Sequence, residues 1–117
     1  MPHVVLKGNL NLEDIFNKFK NILIRNEDGI LKTENIYISR DKNSIIIESL
    51  AIEKGVKHSF LSIVSNRDDG VVVRIYPGIE VEKTSGVKKI LSEIAKQILV
   101  EFTQITIGET NLLDYLI

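Results

Sequence analysis

The sequence predicts a single α+β domain in which one antiparallel β-sheet packs against two helices. Three observations predict this class. Two segments carry apolar residues at helical spacing, four runs between them are rich in isoleucine and valine, and short turns join those runs. Because strands joined by short turns pair in sequence, we expect the four runs to form an antiparallel meander.

The two helices are predicted from their apolar stripes and from their N-caps. Apolar side chains recur every three or four residues over positions 12–23, and Asn11 precedes them as a residue that can accept an orphan backbone N–H. A longer stripe covers positions 87–102, and Thr84 or Ser85 can cap it. We therefore expect a first helix that reaches Leu23 and a longer second helix.

The strands are predicted from β-type runs bounded by turn residues. These runs cover positions 3–7, 31–39, 45–53, 56–64, 71–76 (with 79–81 as an extension) and 103–107, where Gly108 ends the last run. Asp69 and Gly70 form a hairpin signal between two of them. The run that opens with Ile45, Ile46 and Ile47 is typical of a strand covered on both faces.

The predicted order is therefore β-α-β-β-β-β-α followed by a tail. This order resembles the TATA-binding-protein-like half-repeat and, more loosely, the helix-grip domains. The resemblance implies a curved antiparallel sheet around one long helix, and it implies no particular function, because one fold carries many functions. We divide the chain into a domain at 1–108 and an apolar C-terminal docking tail at 109–117.

Composition narrows the classes of function. The formal net charge is −1, whereas a dedicated nucleic-acid-binding protein usually has a strong basic excess. The chain has no cysteine, which excludes disulfides and thiolate metal sites. It shows no signal-peptide pattern and no apolar run near the roughly 20 residues that span a bilayer, so we expect a cytoplasmic protein. Abundant Lys and Glu with one Met and no Trp are typical of thermophile proteins.

No pattern in the sequence indicates catalysis. The two histidines, His3 and His58, lie far apart, and the paired carboxylates at 27–28 and 68–69 lie beside glycines in turns, where Asp is common anyway. Phosphate loops, nucleophile elbows and His-Glu metal motifs are absent. We therefore predict no catalytic residue, no metal site and no cofactor, and we favour a non-enzymatic interpretation.

The tail carries the main functional prediction. Leu112, Tyr115 and Leu116 resemble the C-terminal box that binds DNA sliding clamps, in which an aliphatic residue and two spacers precede an aromatic and a second large apolar residue. Glu109 replaces the leading glutamine of that box, and Leu116 replaces its second aromatic. The sequence thus predicts a non-catalytic binding or adaptor domain. Its tail would dock on its own domain, on a second copy in a homodimer, or on a partner protein such as a sliding clamp.

Two alternative functions remain open from the sequence. The first is a small helix-grip carrier of an apolar ligand, with a cavity lined by Phe16, Phe60 and Ile94. The second is a weak nucleic-acid-binding domain, which combines basic and aromatic side chains of the strands. The candidate nucleic-acid contacts are Arg40, Lys57, Arg74 and Tyr76.

Overall fold

The computed structural model describes residues 1–117 as seven strands and three helices. In chain order these are β1 (His3–Lys7), α1 (Leu12–Lys18), β2 (Leu23–Asn26), β3 (Gly29–Ile38), β4 (Ser44–Glu53), β5 (Val56–Arg67), β6 (Gly70–Ile75), α2 (Ser85–Glu101), β7 (Thr106–Thr110) and α3 (Leu113–Leu116). The strands form one sheet in the order β2-β3-β4-β5-β6-β1-β7, and every neighbouring pair is antiparallel. The predicted class, an α+β domain with a single antiparallel sheet, is confirmed.

The core lies between one face of the sheet and the helices. Side chains alternate along each strand, so β6 sends Val71, Val73 and Ile75 to this inner face, where they join one buried cluster with residues of α1 and α2. The apolar stripe of α2 is buried along most of its length. The opposite, outer face of the sheet has no helix packed on it, because α1 and α2 both contribute to the inner cluster and α3 packs beside α2.

The first helix is shorter than predicted, and the prediction that it reaches Leu23 was wrong. It ends at Lys18, and residues 23–26 form strand β2 at the sheet edge. The Gln97 side chain of α2 accepts from Lys20 N at 2.7 Å and donates to Lys20 O at 2.9 Å, while Ile22 N donates to Thr33 Oγ1. These distant partners satisfy backbone groups that an extended helix would have used itself.

The Asn26–Gly29 segment is a hairpin turn between two strands rather than the end of a helix. The Asn26 side chain accepts hydrogen bonds from Asp28 N and Gly29 N. Gly29 has φ +153, and a Cβ built there would lie 1.7 Å from Ile52 O. Only glycine allows β3 to begin this close to β4.

Of the two N-cap candidates predicted for α2, Thr84 rather than Ser85 caps the helix, and a carboxylate from the sheet adds to the cap. Thr84 Oγ1 accepts from Val87 N, and Glu53 Oε1 at the end of β4 accepts from Gly86 N at 2.8 Å. A Cβ on Gly86 would lie 2.6 Å from Glu53 Cδ, so the carboxylate approaches only because position 86 has no side chain. The negative charge also suits the positive end of the helix dipole.

The chain beyond α2 returns to the sheet. Strand β7 pairs with β1 and runs through Gly108, whereas the sequence predicted a strand at 103–107 that ends there. The proposed boundary between domain and tail therefore falls inside a strand. Residues 79–81, predicted as an extension of β6, form no strand.

Candidate functional site

A groove of about 410 Å³ lies between α2 and the segment that follows α1. Its floor is apolar and its rim carries several charged side chains. The apolar lining consists of Ile15, Phe19, Ile22, Ile98, Val100 and Phe102. The polar lining consists of Lys18, Lys20, Glu93, Lys96, Gln97 and Glu101.

One wall of the groove is irregular backbone that hydrogen bonds hold in place. The paired contacts of Gln97 with both backbone groups of Lys20 fix this segment to α2. Thr33, which is buried, accepts from Ile22 N at 2.9 Å and donates to Asn21 Oδ1 at 3.2 Å. The chain's own hydrogen bonds therefore hold this wall of the groove in place.

The charged side chains on the rim differ in whether they have an ionic partner within the chain. Glu101 lies 3.9 Å from Lys18 Nζ, and Glu93 lies 3.7 Å from Lys96 Nζ. Lys18 Nζ also lies 5.3 Å from the centre of the Phe102 ring. Lys20 has no carboxylate within ion-pair distance, so its ammonium group is the one cation of the rim without an internal partner.

This arrangement can bind an amphipathic molecule. Its volume falls within the range of roughly 300–1,000 Å³ that is usual for ligand pockets. The apolar floor would cover a short hydrocarbon chain, since burial of apolar surface is favourable by about 25 cal/mol per Å². A lysine at the rim can meet an anionic group while it stays in contact with water.

The cavity residues predicted from the sequence lie beside this groove rather than in it. Phe60 is 4% exposed and Ile94 is 0% exposed, and both belong to the packed core cluster. Phe16 packs against the same cluster. The sequence prediction missed the groove because it placed Phe19 and Ile22 on a continuous helix, where they would have faced the core. The lysines at 18 and 20 beside Phe19 were the available signal.

The tail packs on its own domain through the three residues that resemble the clamp-binding box. Leu112 is 2% exposed and belongs to the core cluster, and Tyr115 and Leu116 pack against that cluster. Hydrogen bonds also tie the tail to β1, since Thr110 Oγ1 donates to His3 O and accepts from Leu112 N. The residues that match the box therefore face inwards.

The candidate nucleic-acid contacts do not form one patch. Lys57, Arg74 and Tyr76 lie on or beside the outer face of the sheet. Arg40 lies in the turn before β4, whereas Lys57 pairs with the far end of that ten-residue strand. At about 3.3 Å per strand residue, the two positions are about 25 Å apart.

His58 lies outside the groove, next to a carboxylate that already has a structural role. His58 Nε2 lies 3.7 Å from Glu53 Oε2, where the carboxylate already caps α2. No group of three His, Cys, Asp or Glu residues is arranged to hold a metal ion. None of the three helices has the length and apolar character needed to cross a membrane.

Comparison with protein-family models, with curated proteins and with solved structures gives no match for this chain. The function is therefore inferred from the geometry of the groove. Its two elements are the apolar floor between Phe19 and Phe102 and the unpaired ammonium group of Lys20.

Proposed function

We propose that the protein is a non-catalytic binding domain for a small amphipathic anion, held in the groove between α2 and residues 19–22. The observation that carries this proposal is an apolar floor next to a lysine without an internal partner. A hydrocarbon chain would lie against Phe19, Ile22 and Phe102, and its acidic group would pair with Lys20. This proposal takes up the alternative function named from the sequence, a carrier of an apolar ligand, and moves its site and adds an acidic group to the ligand.

The charge at Lys20 predicts a preference for an anion over a neutral molecule of the same length. Two unit charges about 4 Å apart in water interact by about 1 kcal/mol. Lys20→Glu replaces this attraction with a repulsion of similar size, a change of about 2 kcal/mol. We therefore expect a roughly 30-fold weaker affinity for the anion.

The test is an NMR titration of the full chain with decanoate and with 1-decanol. Decanoate should shift the amide signals of residues 19–22 and of the last turns of α2. Lys20→Glu should weaken decanoate binding roughly 30-fold and leave 1-decanol binding nearly unchanged. Lys83→Glu is the matched control, because Lys83 is an exposed lysine outside the groove.

Two results would contradict the proposal. The first is the absence of shifts around the groove with either probe at millimolar concentration. The second is an equal loss of decanoate affinity in the Lys20 and Lys83 variants, which would mean that net charge alone governs binding. Phe19→Ala should weaken both probes if the floor binds the hydrocarbon chain, since this change removes apolar surface from the groove.

A second proposal concerns the tail, and two outward apolar side chains support it. Leu113 is 52% exposed and Ile117 is 89% exposed, although Tyr115 and Leu116 between them pack against the core cluster. These two side chains could contact a partner protein such as a sliding clamp without release of Leu112. Titration of the full chain against a sliding clamp, with a Leu113→Ser, Ile117→Ser variant as the control, tests this. Equal binding by both chains, or none by either, would contradict it.

A further inference from the structure

The outer face of the sheet is more apolar than an exposed face needs to be. An antiparallel sheet with one solvated face usually alternates apolar and polar side chains along each strand. In β4, however, Ile46, Leu50 and Ile52 lie on the outer face together with Glu48. The sequence predicted that Ile45–Ile47 is covered on both faces. The helices cover Ile45 and Ile47 on the inner face, but no helix covers Ile46.

Six side chains at the centre of this face form two rows that run across β4, β5 and β6. Cross-strand pairing places Ile46 beside Ile63 and Ile63 beside Arg74 in one row. In the next row Glu48 pairs with Leu61, and Tyr76 N donates to Leu61 O. We call these six residues the outer patch. Its four apolar members lie between Glu48 and Arg74, which occupy diagonally opposite corners.

The base of the outer patch has no partner within the chain. Arg74 Nε is buried and makes no hydrogen bond, and no carboxylate lies within ion-pair distance of the guanidinium. A buried donor without an acceptor is costly, so native proteins rarely keep one. Glu48 cannot reach Arg74, because two strand spacings and two residues along the strands separate them by about 12 Å. Nε itself is covered by its own chain, so an acid from outside would meet the terminal Nη groups of Arg74.

The acid of the outer patch is held in place and keeps free hydrogen-bonding capacity. Glu48 accepts from Asn35 Nδ2 at 2.9 Å and from Tyr37 Oη at 2.8 Å. The hydrogen bond to Glu48 raises the pKa of Tyr37, with smaller contributions from desolvation and from the charge of Glu48. A carboxylate offers about four acceptor positions, so Glu48 can still accept a guanidinium.

We propose that the outer patch binds a second copy of this chain in a two-fold symmetric dimer. A two-fold axis that is parallel to the sheet, passes above Ser62 and is perpendicular to the line from Glu48 to Arg74 exchanges the two corners. Arg74 then faces the partner's Glu48, and Glu48 faces the partner's Arg74. The same operation places Ile63 near the partner's Ile46 and Leu61 near the partner's Tyr76. One patch thus supplies both halves of a self-complementary contact, as a two-fold interface requires.

A charge exchange tests this arrangement, with mass measured by light scattering after size exclusion. The wild-type chain should be a dimer. Glu48→Arg and Arg74→Glu should each place like charges opposite one another at two symmetric positions and weaken the dimer at least about tenfold. The double variant, Glu48→Arg with Arg74→Glu, should restore dimerisation because it exchanges the charges without changing their match. Asp68→Arg, in an exposed turn outside the patch, is the matched control.

A measurement on the unmodified chain keeps the proposal testable if a variant fails to fold. On dilution of the wild-type chain, methyl NMR signals of Ile46 and Leu61 should shift, while those of Leu113 should not. A wild-type monomer at millimolar concentration would overturn the proposal. A dimer that neither single reversal weakens, or shifts confined to Leu113, would overturn it as well. Because the groove lies on the other side of the sheet, loss of decanoate binding would leave this inference unaffected.

Discussion

Replacement of Leu112 by alanine tests whether the tail is part of the folded domain in solution. Leu112 is 2% exposed and belongs to the core cluster, whereas its neighbour Leu113 is 52% exposed. Truncation of a buried leucine to alanine typically costs about 2–5 kcal/mol, and a site near the domain edge can partly relax. We therefore expect Leu112→Ala to lower the free energy of unfolding by about 3 kcal/mol and Leu113→Ala by less than about 0.5 kcal/mol.

Urea unfolding followed by circular dichroism measures both changes. With a slope of about 1.5 kcal/mol per molar urea, a loss of 3 kcal/mol moves the midpoint by about 2 M. The two variants remove the same atoms from adjacent positions, so their difference isolates burial. Equal midpoints for the Leu112 and Leu113 variants would refute the docked tail. That result would also leave Leu112, Tyr115 and Leu116 free to contact a partner, as the sequence predicted.

Two further predictions concern hydrogen bonds that carboxylates accept from the backbone. Glu53→Ala should lower stability by about 1 kcal/mol, because Gly86 N and the N-terminus of α2 lose their acceptor. Amide hydrogen exchange at Gly86 should accelerate, and unchanged exchange there would contradict the cap. At Asp41, the Ser39 hydroxyl and then Asn43 N–H lower the pKa of the carboxyl. Asp41 therefore stabilises the fold above about pH 4, and this contribution is lost as pH falls through the folded-state pKa. The stability difference between wild type and Asp41→Asn should shrink in acid, and a constant difference would argue against the assignment.

The fold was largely predictable because its signals are local. The stripe of α2, the hairpin signal at Asp69–Gly70 and the β-type runs each lie within one segment of sequence. The structure confirms the elements they predict, except that residues 79–81 form no strand and the last strand lies at Thr106–Thr110. The end of α1 was not predictable in the same way. Its apolar spacing continues past Lys18, but the hydrogen bonds that stop the helix come from Gln97, 77 residues further on. No local sequence pattern indicates a hydrogen-bond partner as distant as Gln97.

The candidate site was harder to predict from the sequence for the same reason. The groove exists because the segment after α1 leaves the helical path and meets α2, which brings Lys20 and Phe102 to one opening. The two residues are far apart in sequence and belong to different predicted elements. In contrast, the three consecutive isoleucines at 45–47 did indicate an unusual strand. The sequence could not show that no helix covers its outer side.

The position of β1 in the sheet has a consequence for folding kinetics. This strand lies between β6 and β7, so its two ladders join residues 3–7 with residues 70–75 and 106–110. Contacts with such a large sequence separation close long loops and slow folding. During synthesis, β1 leaves the ribosome before β6 and β7, and it gains its second neighbour only after β7 has been made. Until then it presents an open strand edge, and the β1–β7 ladder should form late in folding.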